Sequence, residues 1–280
     1  MRLKNPFTYF FYLIIVLAVV LPSKSCKDDD DSSGLSTVKE ISIGMSTDQE
    51  IDPVVRDRPE TGTATLKLLS DSTLEYSLNV NNLDATDQLT VAHVHAGSLV
   101  DAGAPVITLL DNVTKKFSGN SASNSVKLNK TQYASIKENS NDFYVNVHSV
   151  KYPKGLVRGQ LGSTITFAAN IDLTPMSSVL RPETGLAILR LNSSDSTLYY
   201  KVTVSNFTSS DTLKEASVNV GASGVTGPVV IPLLNKAVDF NTEKSLKLSP
   251  SQMTFLTTSE TYINVTSKDL PVELIRGQIR

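Results

Sequence analysis

The chain has 280 residues, 40% hydrophobic and 19% charged, a soluble globular composition that leaves room for one large domain or two ordinary ones. Its formal charge is −2, and without Arg2, Lys4 and Lys24 of the leader the 26 basic residues become 23 against 28 acidic ones, net −5, which argues against nucleic acid or an anionic lipid surface as partner. A single cysteine excludes an internal disulfide and any Cys-x-x-Cys site, and imidazole chemistry is confined to His93, His95 and His148.

Arg2 and Lys4 precede the apolar run Phe7 to Leu21, which is followed by Pro22 and a small-polar stretch before Cys26. This is a signal-peptide layout over residues 1–25. The 19 uncharged residues from Asn5 to Ser23 also approach the roughly 20 that a membrane-spanning anchor needs. Cys26 favours cleavage, because it stands directly after Ser25 and directly before Lys27 and the acidic run Asp28 to Asp31. The segment resembles a bacterial lipoprotein signal, and the Cys-Lys-Asp-Asp-Asp-Asp start resembles the export tag of surface-exposed lipoproteins in some Gram-negative bacteria. These resemblances imply a lipid on Cys26, a membrane anchor and a surface-exposed outer-membrane lipoprotein of the cell envelope. Like charges repel, so residues 26–37 read as an extended linker.

Beyond the linker the sequence repeats itself. Arg-Pro-Glu-Thr-Gly at Arg58 to Gly62 returns at Arg181 to Gly185, 123 residues later. Asp71-Ser72-Thr73-Leu74 returns as Asp195-Ser196-Thr197-Leu198, and Val106-Ile107 before Leu109-Leu110 as Val230-Ile231 before Leu233-Leu234. Tyr144-Val145-Asn146-Val147 returns as Tyr262-Ile263-Asn264-Val265, and Arg158-Gly159-Gln160 as Arg276-Gly277-Gln278. A period this long suits a duplicated domain better than a solenoid unit. The expected domains are residues 38–162 and 163–280, joined near Gly162 to Thr164.

Alternation with period two predicts a strand over Leu74 to Val80, with Leu74, Tyr76, Leu78 and Val80 on one face, and its repeat over Leu198 to Val204. Similar runs predict strands at Thr63 to Leu69, Leu89 to Ala96, Phe143 to Ser149 and Leu156 to Leu161, separated by Asn, Asp, Gly and Pro clusters. Brief helices are expected near Lys130 to Lys137 and Pro250 to Thr257. The two Asp-Ser-Thr sequences read as hairpin turns, and also resemble a bacterial O-glycosylation acceptor. The fold class is therefore all-β, with an antiparallel β-sandwich or Greek-key barrel in each half.

Three motifs in order, Ala92-His93-Val94-His95-Ala96-Gly97, Tyr144-Val145-Asn146-Val147-His148-Ser149 and Pro153 to Gln160 ending in Arg-Gly-Gln, resemble the chordin-type (CHRD) domain. The resemblance covers about residues 38 to 161, and the second half keeps the frame with its histidines replaced. It implies a β-rich extracellular module without catalytic activity, and a partner that is an extracellular protein, glycan or small ligand.

His93 and His95 are two apart and share a strand face. The second repeat indicates which one, because Ala216, Val218 and Val220 are apolar there while Glu215, Ser217 and Asn219 are polar. The same parity places Asn146, His148, Arg158 and Gln160 away from the core, so these side chains and the two histidines are expected to converge on one polar patch. Two imidazoles roughly 7 Å apart on one strand, with a third from a neighbour about 5 Å away, suit zinc or copper. A hydrogen-bonded network accounts for the same residues. So does an anion pocket, since the Arg158 guanidinium repels a dication and attracts a carboxylate or phosphate.

Overall fold

Strand formation follows the alternating pattern. The computed structural model describes residues 34–51, 54, 58–138, 140–175 and 181–280, so the leader, Cys26 and most of the acidic linker lie outside the described residues. In the first repeat the strands are β1 Thr37–Ser46, β2 Thr61–Leu69, β3 Thr73–Asn81, β4 Leu89–Ala96, β5 Pro105–Leu110, β6 Ser121–Lys127, β7 Phe143–Ser149 and β8 Val157–Gln160. A short helix, α1 Lys130–Glu138, stands between β6 and β7. All eight strands form one antiparallel sheet in the order β5-β4-β7-β8-β1-β2-β3-β6. Its two edge strands approach each other, so the sheet nearly closes into a barrel.

The second repeat copies this plan with β9 Phe167–Leu173, β10 Thr184–Asn192, β11 Thr197–Ser205, β12 Leu213–Val220, β13 Val229–Leu234, β14 Lys244–Lys247, α2 Pro250–Thr258, β15 Thr261–Ser267 and β16 Ile275–Gln278. Here the strands form two sheets, β14-β11-β10-β9 and β13-β12-β15-β16, linked by the isolated bridge Thr174 to Arg276. In the first repeat the equivalent seam is the pairing of Ser46 with Arg158. Among the described residues no helix is long and apolar enough to cross a membrane.

Local chemistry explains the recurring motifs. In the β2–β3 hairpin Ser72 takes a left-handed φ of 69°, and the Asp71 carboxylate accepts from the Thr73 N–H at 3.0 Å. Ser196 and Asp195 repeat this in the β10–β11 hairpin, with φ 57° and 3.1 Å, a short side-chain turn of the kind Asp and Ser favour. The Arg-Pro-Glu-Thr-Gly motif is a clamp. Arg58 Nε donates to both oxygens of the buried Glu60 at 2.8 and 2.9 Å, and its Nη2 reaches Asp87 at 3.1 Å. Arg181 treats Glu183 and Asp211 in the same way.

Each repeat has its own apolar core, one around Leu66, Leu78, Val94 and Val145, the other around Leu189, Val202, Val218 and Ile263. A smaller cluster joins them, Leu99 and Val100 of the loop after β4 against Ile188 of β10. Lys201 adds a 2.5 Å ion pair to Asp101 of the same loop. Residues Leu35–Arg280 accordingly form one compact unit.

Candidate functional site

Strands β4, β7 and β8 are neighbours, and their register sets His93 opposite Asn146, His95 opposite Tyr144, and Asn146 opposite Arg158. The residues expected on one patch therefore do share a face: His93, His95, His148, Asn146, Arg158 and Gln160. That face is not wet. Asn146, His148, Arg158 and Gln160 are buried, as is His95, while His93 is half-buried. Residues 153–155 lie against His148 and Asn146, and the cover over Arg158, Gln160 and His95 is the loop of residues 97–104.

Arg158 and Gln160 hold this cover in place. Arg158 Nη2 donates to the carbonyls of Ser98 and Asp101, the latter at 3.2 Å, and to Gln160 Oε1 at 3.3 Å. Its guanidinium lies 3.6 Å from the centre of the Tyr144 ring, a cation–π contact. Gln160 Nε2 donates to the carbonyls of Gly97 at 2.8 Å and Asn141 at 2.6 Å. The second repeat makes the same latch, with Arg276 stacked at 3.6 Å on Tyr262 and Gln278 donating to Gly221 O at 3.0 Å. Between Arg158 and Gln160 only glycine fits, because a Cβ on Gly159 would lie 2.5 Å from the Gly44 carbonyl oxygen of β1. The Arg-Gly-Gln motif is thus a structural latch common to both repeats.

The histidines are arranged differently. His95 Nδ1 lies 2.9 Å from Gly103 O and His148 Nδ1 lies 3.0 Å from Pro153 O. A carbonyl only accepts, so both Nδ1 atoms carry the proton and both Nε2 atoms present a lone pair. His93 Nδ1 sits 3.2 Å from His148 Nε2, and donates its proton to that lone pair. His95 Nε2 is buried without a hydrogen-bond partner. The nitrogens that could ligate an ion all lie within 4.8 Å of one another, and the ring centres are 5.0 to 5.9 Å apart.

Electrostatics keep the three rings neutral. Burial pushes His148 down to about 4, with Coulombic repulsion from His93 and His95 in the same direction. Burial also lowers His93, helped by His95, and lowers His95, helped by the Arg158 charge. At neutral pH the imidazoles hold no charge, the His95 Nε2 lone pair is open, and that of His148 Nε2 accepts the His93 proton.

Beside them lies a pocket of about 210 Å³ lined by Glu50, His95, Ala102, Gly103, Tyr144, Asn146, Lys154 and Arg158. Sequence reasoning passed over Glu50, which follows the end of β1 in a segment without alternation. Its carboxyl is 2% exposed and hydrogen-bonded to the Asn146 side chain, and burial raises it to about 8 against the pull of Arg158 and Arg190. Among the described residues, three buried atoms at this pocket lack partners: Glu50 Oε1, His95 Nε2 and Asn146 Oδ1.

In the second repeat Ser217, Asn219 and Thr266 replace the histidines. Ser217 Oγ donates to Asn219 Oδ1 at 2.7 Å, and Asn219 Nδ2 donates to Gly227 O at 3.0 Å, where His95 meets Gly103 O in the first repeat.

The chain is thus an all-β tandem module in which one latch is built twice and one histidine cluster once. Residues 41–161 and 169–279 both match the model of the CHRD domain, and the chain belongs to the CHRD domain family. A search of curated proteins found no match.

Proposed function

We propose that this chain is a membrane-tethered extracellular binding module whose first repeat holds a zinc or copper ion on His93, His95 and His148. The observation that carries this reading is the His93 Nδ1 to His148 Nε2 separation of 3.2 Å, beside the unpartnered Nε2 of His95. Two nitrogens bound to one zinc at 2.0–2.1 Å and a tetrahedral angle lie about 3.3 Å apart. An ion can therefore take the place of the shared proton between His93 and His148, with His95 Nε2, which lies within 4.8 Å of both nitrogens, turning in to complete the set. Backbone carbonyls that fix the Nδ1–H tautomer are the usual outer support of ligating histidines. Neutral rings also suit ligation, since protons compete with the metal.

Two features weigh against the alternatives. An anion needs donors, whereas His95 Nε2 and Asn146 Oδ1, two of the unpartnered atoms at the pocket, accept once Asn146 directs its amide nitrogen to Glu50. The Arg158 charge, which taken alone repels a dication, faces the Glu50 carboxyl and lies over the Tyr144 ring. The test is calorimetric titration of the metal-free protein with zinc and with cupric ion. Binding is expected to saturate at one ion per chain and to raise the melting temperature by mass action. No heat and no thermal shift in millimolar metal would overturn the reading.

The tether rests on Cys26 and the acidic run behind it. Mass spectrometry of the native N-terminus is expected to find an acylated Cys26 as the first residue. Two acyl chains anchor stably, because each buried CH₂ contributes about 0.8 kcal/mol. A chain beginning before Cys26, or an unmodified Cys26 in a protein free of the membrane fraction, sinks this part of the proposal.

A further inference from the structure

Glu50 owes its place to the second repeat. It follows a single 3₁₀ turn, Thr47–Gln49, that packs against β8 on one side and β9 on the other. The backbone carbonyls of three consecutive residues in this segment accept hydrogen bonds from side chains of the second repeat. Asn170 Nδ2 donates to Asp48 O at 2.9 Å and to Glu50 O at 2.8 Å. Arg190 Nη2 donates to Gln49 O at 3.1 Å and to Asn170 Oδ1 at 2.8 Å. Arg190 is 1% exposed, and its Nη1 is fixed by the carbonyls of Ala169 at 3.1 Å and Leu189 at 2.9 Å. A long polar side chain buried this deeply and bonded to carbonyls on both sides is a rigid strut.

At the end of the clamped segment the Glu50 side chain turns into the pocket that His95 and Asn146 also line, with Oε1 unpartnered. The other charges there are positive, Arg158 inside and Lys154 at the rim. Among the residues that line the pocket, Glu50 is therefore the one that can supply a negative charge to a cation among the histidines. A close approach fixes the carboxyl further, because a Cβ on Gly155 would lie 2.9 Å from Glu50 Oε2 and 2.6 Å from Asn146 Nδ2.

We propose that the second repeat, which has lost its histidines, is the positioning element of the first repeat's site: Asn170 and Arg190 clamp the Asp48–Glu50 backbone and so hold the Glu50 carboxyl beside His95, where it gives up its proton as a cation binds and the resulting carboxylate balances the ion's charge. This rests on the metal reading above and adds to it an inter-repeat dependence. Glu50 faces the pocket, and Asn170 and Arg190 are positioning residues that act through it.

The experiment uses the full chain loaded with Co²⁺, whose visible d–d spectrum reports the ligand field, together with zinc competition for affinity. Glu50→Gln removes the group that can ionise when a cation binds. Asn170→Asp keeps the oxygen that Arg190 binds and loses the amide that holds Asp48 and Glu50. Both are expected to lower affinity about 10- to 100-fold, the range for supporting groups at metal sites, and to change the cobalt spectrum. Lys244→Ala, which removes a 2.6 Å ion pair to Asp239 on the far edge strand of the second repeat without touching the clamp, is expected to leave both readouts unchanged. If the wild type binds no cobalt or zinc, the metal reading falls and this inference with it. If the wild type binds and Asn170→Asp matches it in affinity and spectrum, the second repeat has no positioning role although the metal reading stands. A wild-type response from Glu50→Gln removes Glu50 from the site. Should Asn170→Asp fail to fold, Asn170→Ala is judged by the same readouts.

Discussion

Changing His93, His95 and His148 together to Ser, Asn and Thr is expected to leave the first repeat folded and to abolish zinc and copper binding. The second repeat already carries these residues on the same frame. There Ser217, Asn219 and the Gly227 carbonyl form a continuous hydrogen-bonded line, and the Arg276 and Gln278 latch still closes over it. In the variant the new Asn at 95 has the Gly103 carbonyl within reach, so the loop of residues 97–104 keeps its contact to β4. The Pro153 carbonyl loses its imidazole partner, and smaller side chains leave space, so a destabilisation of about 1–3 kcal/mol is expected. Binding suffers far more. Hydroxyl and amide groups are weak ligands, and a protein-bound zinc ion carries about 10 kcal/mol or more of binding free energy. Its affinity is expected to fall by several orders of magnitude. Thermal melting and calorimetric titration on the same samples separate the two effects. A triple variant that does not fold, alongside a wild type that binds no metal, would make the cluster a structural network and nothing else.

Acid is expected to destabilise the metal-free wild type more than the triple variant. The folded values of all three histidines are depressed, His148 to about 4 from 6.5. Between these values the unfolded chain binds the proton and the folded chain does not, so stability falls as pH falls. The contribution is fully present above about 6.5 and is lost on approaching 4. His148 is 5% exposed, and its shift alone corresponds to about 3 kcal/mol. Glu50 runs the other way. Its folded value is raised to about 8, so the folded chain binds the extra proton and stability rises as pH falls through that value. Both proteins keep Glu50, so the comparison isolates the imidazoles. Urea melts at pH 7.5, 5.5 and 4 supply the measurement. Parallel loss in both proteins would mean that the imidazoles carry no acid sensitivity.

Period two and the internal repeat made much of this fold legible. Strands β2, β3, β4, β7 and β8 and both helices lie where the pattern placed them, and parity assigned His93, His95, Asn146 and Arg158 to one face. Strand β6 was not legible, because Ser121–Lys127 is rich in serine and buries only Ala122 fully. It is a strand because β3 offers it a ladder from Thr73 to Asn79. Strand β1 alternates only through Ile41, Ile43 and Met45, within Ser and Gly residues that dilute the signal. Parity also gives the side of a sheet and not what lies over it. The polar face was expected away from the core, and it is buried because residues 97–104 and 153–155 fold across it. The first of these covers depends on Arg158 reaching carbonyls about 60 residues earlier in the chain, a contact no local window contains. Glu50 was missed for the same reason. Its position is set by Asn170, 120 residues away.

The place of β1 in the sheet bears on how the module meets force. It is the first strand of the described chain and sits between β2 and β8, away from either edge. Its pairing with β2 runs from Thr37 to Ser46 along nearly its whole length. A pull from the N-terminal side along this strand loads those hydrogen bonds in shear, so they must fail together, whereas a pull across the strand would peel them one at a time. Resistance of that kind is governed by the unfolding rate and not by equilibrium stability. If the proposed tether at Cys26 holds the chain, the β1–β2 pairing is the first to carry that load.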